Sequence, residues 1–217
     1  MSFKPSRLRI TEIFFSLQGE SSLVGYPTVF IRLTGCPLRC GYCDTAYAFT
    51  GGDWYSPSDI LQQVKQYKTA YICVTGGEPL AQKACPELLA LLCDEGYKVS
   101  LETSGALDIS LLDPRVKRIM DIKTPASDEE SRNRYENIDC LTAEDEVKFV
   151  ICGRDDYDWS KSMLEKYDLG AKCSVLFSPV QGDMSATDLA EWILEDQLTV
   201  RFQIQLHKYL WSNQPGK

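Results

Sequence analysis

Short apolar runs alternate with longer amphipathic stretches along this chain. Residues 8–15 and 28–33 read as strands. Ser56-Pro57 then opens a helix to about residue 68, with serine as N-cap and proline in the first turn. Residues 70–74 form a short apolar strand, and a helix follows from about 80 to 94, with Gly96 suited to its C-terminal stop. Strands are expected at 99–102, 116–122, 147–152, 175–177 and 200–205. Helices are expected near 159–167 and at 185–195, the latter opening on a Ser-x-x-Asp start. Strands alternating with helices imply parallel pairing through βαβ units. Roughly six such units fall short of the eight in a closed barrel of about 250 residues. The expected fold is therefore α/β: a partial, open TIM-like barrel forming one domain over residues 1–217, with its chemistry at the C-terminal strand ends. No linker, low-complexity segment or convincing repeat divides the chain.

Composition narrows the class. The chain has 217 residues, 44% hydrophobic and 25% charged, ordinary values for a globular protein with a real core. A net charge of −8 argues against nonspecific nucleic-acid binding, which needs a basic surface. No apolar run approaches transmembrane length. The first five residues carry no apolar leader, so a cytoplasmic location with reduced thiols is expected. Nine cysteines are present. Cys73, Cys152 and Cys173 fall in apolar stretches and read as core filler; Cys85, Cys93 and Cys140 also lie outside any motif. Trp54, Tyr55 and Trp192 read as packing residues, and Ser127-Asp128-Glu129-Glu130 as a solvated loop or helix start.

The other three cysteines share one loop, Cys36-Pro37-Leu38-Arg39-Cys40-Gly41-Tyr42-Cys43. C-x3-C-x2-C supplies three thiolates, enough for three irons of a [4Fe–4S] cluster, with one iron free for a non-cysteine ligand. Electron-carrier clusters usually take four cysteines. Zinc sites prefer paired C-x2-C units and four ligands; no second pair exists, and the sole histidine, His207, is far along the chain. Three clustered core cysteines are the other alternative, but a loop containing Pro and Gly is a poor core segment. Thr75-Gly76-Gly77-Glu78-Pro79 ends another strand. Its glycines let a ligand approach the backbone, its N–H groups can bind a carboxylate, and Glu78 can bind an ammonium. A simple βα turn is the competing reading.

These two segments resemble the radical S-adenosylmethionine (SAM) superfamily. Cys36, Cys40 and Cys43 match its cluster motif, Tyr42 its aromatic position, and Gly76-Gly77-Glu78-Pro79 its methionine-binding strand end. Ser16-Leu17-Gln18-Gly19-Glu20, Phe30-Ile31-Arg32-Leu33, Gly35-Cys36-Pro37, Cys43-Asp44-Thr45 and Gln205-Leu206-His207-Lys208-Tyr209-Leu210 are similar to the 7-carboxy-7-deazaguanine synthase family, from near residue 10 to near 210. That family is a carbon–nitrogen lyase of queuosine and deazapurine biosynthesis. It converts 6-carboxy-5,6,7,8-tetrahydropterin to 7-carboxy-7-deazaguanine with loss of ammonia.

The resemblance implies a [4Fe–4S] cluster with one non-cysteine iron site, SAM used catalytically, Mg2+, a flavodoxin or ferredoxin reductant and a homodimer. It implies SAM contacts at Tyr42, Gly76, Gly77, Glu78, Glu102, Ser104, Asp121, Ile122, Lys123 and Ser178. It implies substrate contacts at Leu17, Gln18, Gly19, Glu20, Arg32, Thr75 and His207, and magnesium at Thr45 with Asp44 orienting its waters. In that role Gln18 and the backbone of residues 17–19 can read pterin edges, and Arg32 can fork onto the substrate carboxylate. Two departures stand out: Ser21 replaces a frequent glycine, and Asp121-Ile122-Lys123 replaces a serine-containing version. The competing functions are a glycyl-radical-enzyme activase and a non-catalytic iron–sulfur electron carrier or binding module.

Overall fold

The computed structural model describes residues 6–212 and 214–217; residues 1–5, on which the expectation about a leader rested, lie outside them. Among the described residues nine strands form one open sheet: β1 (Leu8–Leu17), β2 (Pro27–Leu33), β3 (Asp53–Tyr55), β4 (Tyr71–Gly76), β5 (Lys98–Thr103), β6 (Lys117–Asp121), β7 (Glu146–Ile151), β8 (Ser174–Pro179) and β9 (Arg201–Phe202). Their order is β3-β1-β2-β4-β5-β6-β7-β8-β9. From β2 onward every pairing is parallel. β1 runs antiparallel to both β2 and β3, which the strand–helix alternation does not reveal.

Helices α1 (Pro57–Val64), α2 (Cys85–Asp94), α3 (Arg154–Tyr167), α4 (Leu169–Lys172), α5 (Ala186–Glu195) and α6 (Leu206–Trp211) complete the fold. The expected caps are in place. Ser56 accepts from the Asp59 N–H while Asp59 accepts from the Ser56 N–H, closing a capping box. Ser185 accepts from the Asp188 N–H. Among the described residues no helix is long and apolar enough to cross a membrane.

Side chains along a strand alternate between faces, and here the alternation separates core from site. Val29, Ile31 and Leu33 of β2, Val99 and Leu101 of β5, and Val147, Phe149 and Ile151 of β7 join one core with Leu88, Leu89 and Leu92 of α2, Tyr157 of α3 and Leu189 of α5. The intervening positions, among them Arg32, Glu102 and Lys148, face a cavity on the opposite side. Cys73, Cys85, Cys93 and Cys173 are buried, while Cys140 and Cys152 are half-buried.

Ser21 takes a left-handed φ of +66°, a conformation that favours glycine. It is held there by Gln203, whose side chain accepts from the Ser21 N–H at 2.6 Å and donates to its carbonyl at 2.8 Å.

Candidate active site

The cavity, of about 270 Å³, opens at the C-terminal ends of the parallel strands. One wall is the cysteine loop, anchored by the buried Leu38. Cys36, Cys40, Tyr42 and Cys43 all line the cavity. Burial raises the Cys36 thiol and pushes that of Cys40 up to about 11, so metal loading must displace their protons. Gly76 and Gly77 lie alongside. A Cβ on Gly77 would collide with the Gly35 carbonyl and the Cys36 side chain, so the strand end can lie against the cluster loop only as glycine. Among the described residues no three His, Cys, Asp or Glu side chains form a single-ion centre. Three free cysteines on one face of one cavity suit a larger multi-iron group.

A second wall comes from β1 and the loop after it. Leu17, Gln18, Gly19 and Glu20 line it. The Gln18 amide donates to Glu102 at 3.3 Å and its oxygen accepts from the Glu20 N–H at 3.2 Å. Thr75 donates to the other Glu102 oxygen at 2.9 Å. The C-terminal segment is tied to this loop. Leu206 N–H donates to the Gly19 carbonyl at 3.0 Å, Gln205 donates to Glu20 at 2.8 Å, and His207 packs where a Cβ on Gly19 would lie.

Arg32 projects between Phe14 and Tyr47, its guanidinium 5.6 and 5.8 Å from their ring centres. Its Nε donates to Glu12 at 2.7 Å, and Tyr47 donates to the same oxygen at 2.7 Å. Thr45 donates to Asp44 at 2.8 Å, and Asp44 pairs with Lys208 of α6 at 2.6 Å. Burial opposes ionisation of Asp44, but Lys208 and Thr45 together bring its carboxyl down to about 2.

Four charges cross the cavity floor. Lys148 lies 2.5 Å from Glu20 and 3.7 Å from Asp121, and Asp121 lies 3.0 Å from Lys123. Asp121 lines the cavity, and its other oxygen is buried with no hydrogen-bond partner among the described residues. An unpaired acceptor there fits a ligand bearing donors.

Most of the residues singled out in the sequence thus share one cavity: the three cysteines and Tyr42, residues 17–20, Arg32, Thr45, Thr75, Gly76, Gly77, Glu102, Ser104, Asp121, Lys123 and His207. Glu78, Ile122 and Ser178 do not line it. Ile122 belongs to the helix-side core by strand alternation. Ser178 is buried in β8 beside Val150. Glu78 is fully buried behind the wall, where its oxygens accept from Leu80 N–H, Thr103 Oγ, and both Ser104 N–H and Oγ. Its carboxylate holds the wall together, an arrangement different from the expected open contact with a ligand ammonium. Lys148, Tyr47 and the tail at 214–217 also line the cavity; the first two were not foreseen. A lysine inside the apolar β7 run was the available signal for the first.

Residues 30–168 match the family model described as the Radical SAM superfamily. A 7-carboxy-7-deazaguanine synthase of Chlorobaculum tepidum is 44% identical over 208 residues, covering 94% of each chain. One of Koribacter versatilis is 42% identical over 220 residues, covering 94% of this chain and 97% of its own. The crystal structure of QueE from Escherichia coli matches with a TM-score of 0.74 at 25% identity, covering 93% of this chain and 95% of that one. Matches of this length and identity, on a chain whose motifs meet in one cavity, place it in the radical SAM superfamily and, within that, in the 7-carboxy-7-deazaguanine synthase family.

Proposed function

We propose that this chain converts 6-carboxy-5,6,7,8-tetrahydropterin to 7-carboxy-7-deazaguanine with loss of ammonia, as a single-domain cytoplasmic homodimer reduced by flavodoxin or ferredoxin. The observation that carries this reading is the meeting of the cysteine loop and Gly76-Gly77 with Gln18, Glu20 and Arg32 on one cavity. Cys36, Cys40 and Cys43 would hold a [4Fe–4S] cluster, leaving one iron for SAM, beside the Gly76-Gly77 strand end. When bound, the cluster and SAM supply a 5′-deoxyadenosyl radical able to abstract a hydrogen atom from the substrate.

The chain's own residues bind and orient. The amide of Gln18 and the carboxylate of Glu20 face the donor and acceptor edges of a pterin, with His207 closing from above; Glu102, a SAM contact by the resemblance, is bonded to Gln18 and Thr75 and joins the pterin side in this reading. Ser104, Asp121 and Lys123 lie on the SAM side of the cavity. Asp44, held by Lys208, sets Thr45 toward a magnesium ion that takes its other ligands from substrate and water.

Arg32 spends its Nε on Glu12, which leaves the guanidinium end to fork onto the substrate carboxylate. Arg32→Lys keeps the charge but loses the fork. Substrate KM should rise roughly tenfold or more, since a charge-assisted hydrogen bond is worth about 1.5–3 kcal/mol. Iron content should not change. An unchanged KM with a loss of iron would contradict this role.

Thr45→Ala should raise the magnesium needed for half-maximal turnover and leave the iron–sulfur spectrum intact, whereas Thr45→Ser should retain much of the activity. A magnesium titration with a melting curve for each variant checks this. If Thr45 only capped the turn before residues 46–49, Thr45→Ala would lower stability and leave magnesium dependence as it was.

A first test adds SAM, without the pterin that would let it be regenerated, to the reduced, anaerobically reconstituted protein. Formation of 5′-deoxyadenosine is expected. Its absence from fully loaded protein would favour an electron carrier.

A further inference from the structure

Lys148 is a buried ammonium on β7 that the motifs leave without a role. Its neighbours in the strand, Val147 and Phe149, belong to the helix-side core, so alternation sends Lys148, with Val150, to the cavity. There its side chain is 12% exposed, and it meets two carboxylates from different elements: Glu20, from the loop after β1, at 2.5 Å and Asp121, at the end of β6, at 3.7 Å. Glu20 is the residue proposed to accept from the pterin. Asp121 lies on the side proposed for SAM, and it leads through Lys123, 5.9 Å above the Tyr42 ring, to the cysteine loop.

We infer that Lys148 is a positioning residue: it holds Glu20 as an ionised acceptor for the pterin and ties that acceptor, through Asp121, to the SAM side of the cavity. The inference rests on the pterin reading above. A carboxylate as buried as Glu20 would by itself drift toward its neutral form, and a protonated Glu20 would present a donor where the ligand also presents donors. Burial raises the Glu20 carboxyl, but Lys148, together with Gln205 and His207, brings it down to about 2. The other charged groups around the pair are Asp121 of β6, Glu102 of β5, Asp44 beyond the cysteine loop and Lys123 just past β6. Of these Lys123 is the cation, and it pairs with Asp121 at 3.0 Å, whereas Lys148 is the ammonium in contact with Glu20.

The test measures binding and needs no turnover. The dissociation constant of 6-carboxytetrahydropterin is measured calorimetrically on anaerobic, reconstituted protein between about pH 6.5 and 8.5, a window in which a buried unpaired carboxyl can titrate. Wild type, Lys148→Met, Lys148→Arg and Lys148→Met with Glu20→Gln are compared. Lys148→Met should bind the pterin at least about tenfold more weakly at the acid end and recover part of that loss as pH rises and Glu20 ionises. Lys148→Arg should follow wild type. The double variant, which carries no unpaired buried carboxylate and keeps the test usable if Lys148→Met folds poorly, should bind weakly with the pH dependence of wild type. Wild-type affinity and pH profile in Lys148→Met would overturn the inference and leave the pterin reading standing. A pH-dependent loss that persists in the double variant would overturn it too. Failure of wild type to bind the pterin at all would overturn the pterin reading, and this inference with it.

Discussion

Replacing Cys36, Cys40 or Cys43 with alanine, one at a time, should remove nearly all cluster iron and all turnover. The same change at each of the other six cysteines should leave both close to wild type. The three line one cavity wall, on a loop fixed by Leu38. Each supplies a thiolate to a group that has no spare protein ligand, so losing one leaves two irons without a protein thiolate. The other six are placed differently. Cys73, Cys85, Cys93 and Cys173 are buried; burial pushes Cys73 well above the ordinary thiol range and brings Cys173 up to about 11. They behave as small apolar side chains. Alanine at Cys73 or Cys85 should cost about 1 kcal/mol of packing per lost group, with no change in iron per folded chain. Iron assay and absorbance on all nine variants check this. A loss of iron in Cys73→Ala or Cys140→Ala equal to that in Cys40→Ala would contradict the ligand assignment.

The second large effect is expected at Glu78, on stability before chemistry. Its carboxylate is fully buried and accepts from Leu80 N–H at 3.0 Å, Thr103 Oγ at 2.9 Å, and Ser104 N–H and Oγ at 2.7 and 2.6 Å. These bonds hold the β4 end, with Gly76-Gly77, against the end of β5. Glu78→Ala strands two backbone N–H groups in the interior and should cost about 4 kcal/mol, since an orphaned buried donor costs about 1–3 kcal/mol. Glu78→Gln keeps the shape but turns an NH2 toward other donors, so it should lose a large part of that stability as well. Denaturant unfolding of the apo protein reads this without any ligand. If both variants unfold like wild type while SAM binding is lost, Glu78 acts on the ligand directly, as the sequence motif alone suggested.

Much of the fold was legible because strand and helix signals were local. Ser56 with Asp59 and Ser185 with Asp188 marked helix starts, and the structure bears them out. Where the local signal was missing, the reading slipped. α3 starts at Arg154 instead of near 159, because its N-cap is Gly153, which has no side-chain acceptor to announce it. α2 starts at Cys85 instead of 80, because Pro79–Ala81 is a 3₁₀ turn fixed by Glu78. α6 was not expected, and the expected strand at 200–205 is the two-residue β9. The short β3 was missed because it exists only through pairing with β1.

The site was legible wherever motifs marked it and obscure wherever only the third dimension did. Arg32 and Thr75 are direct neighbours across β2 and β4, and Asp121 and Lys148 across β6 and β7. Strand alternation brings Arg32, Glu102, Asp121 and Lys148 to one face. One sequence shows each of them as a polar residue near a strand end, but not that Lys148 meets Glu20 across 128 positions. Alternation also explains why Ile122, next to two cavity residues, points away from them.

The most direct test of the assigned activity is a single anaerobic turnover reaction. The reconstituted protein is given 6-carboxy-5,6,7,8-tetrahydropterin, SAM, reductant and magnesium, and the products are read by mass spectrometry. The account predicts 7-carboxy-7-deazaguanine and released ammonia, with product formed in excess of the SAM consumed. Recovery of unchanged pterin from protein that carries its full iron and cleaves SAM would contradict it.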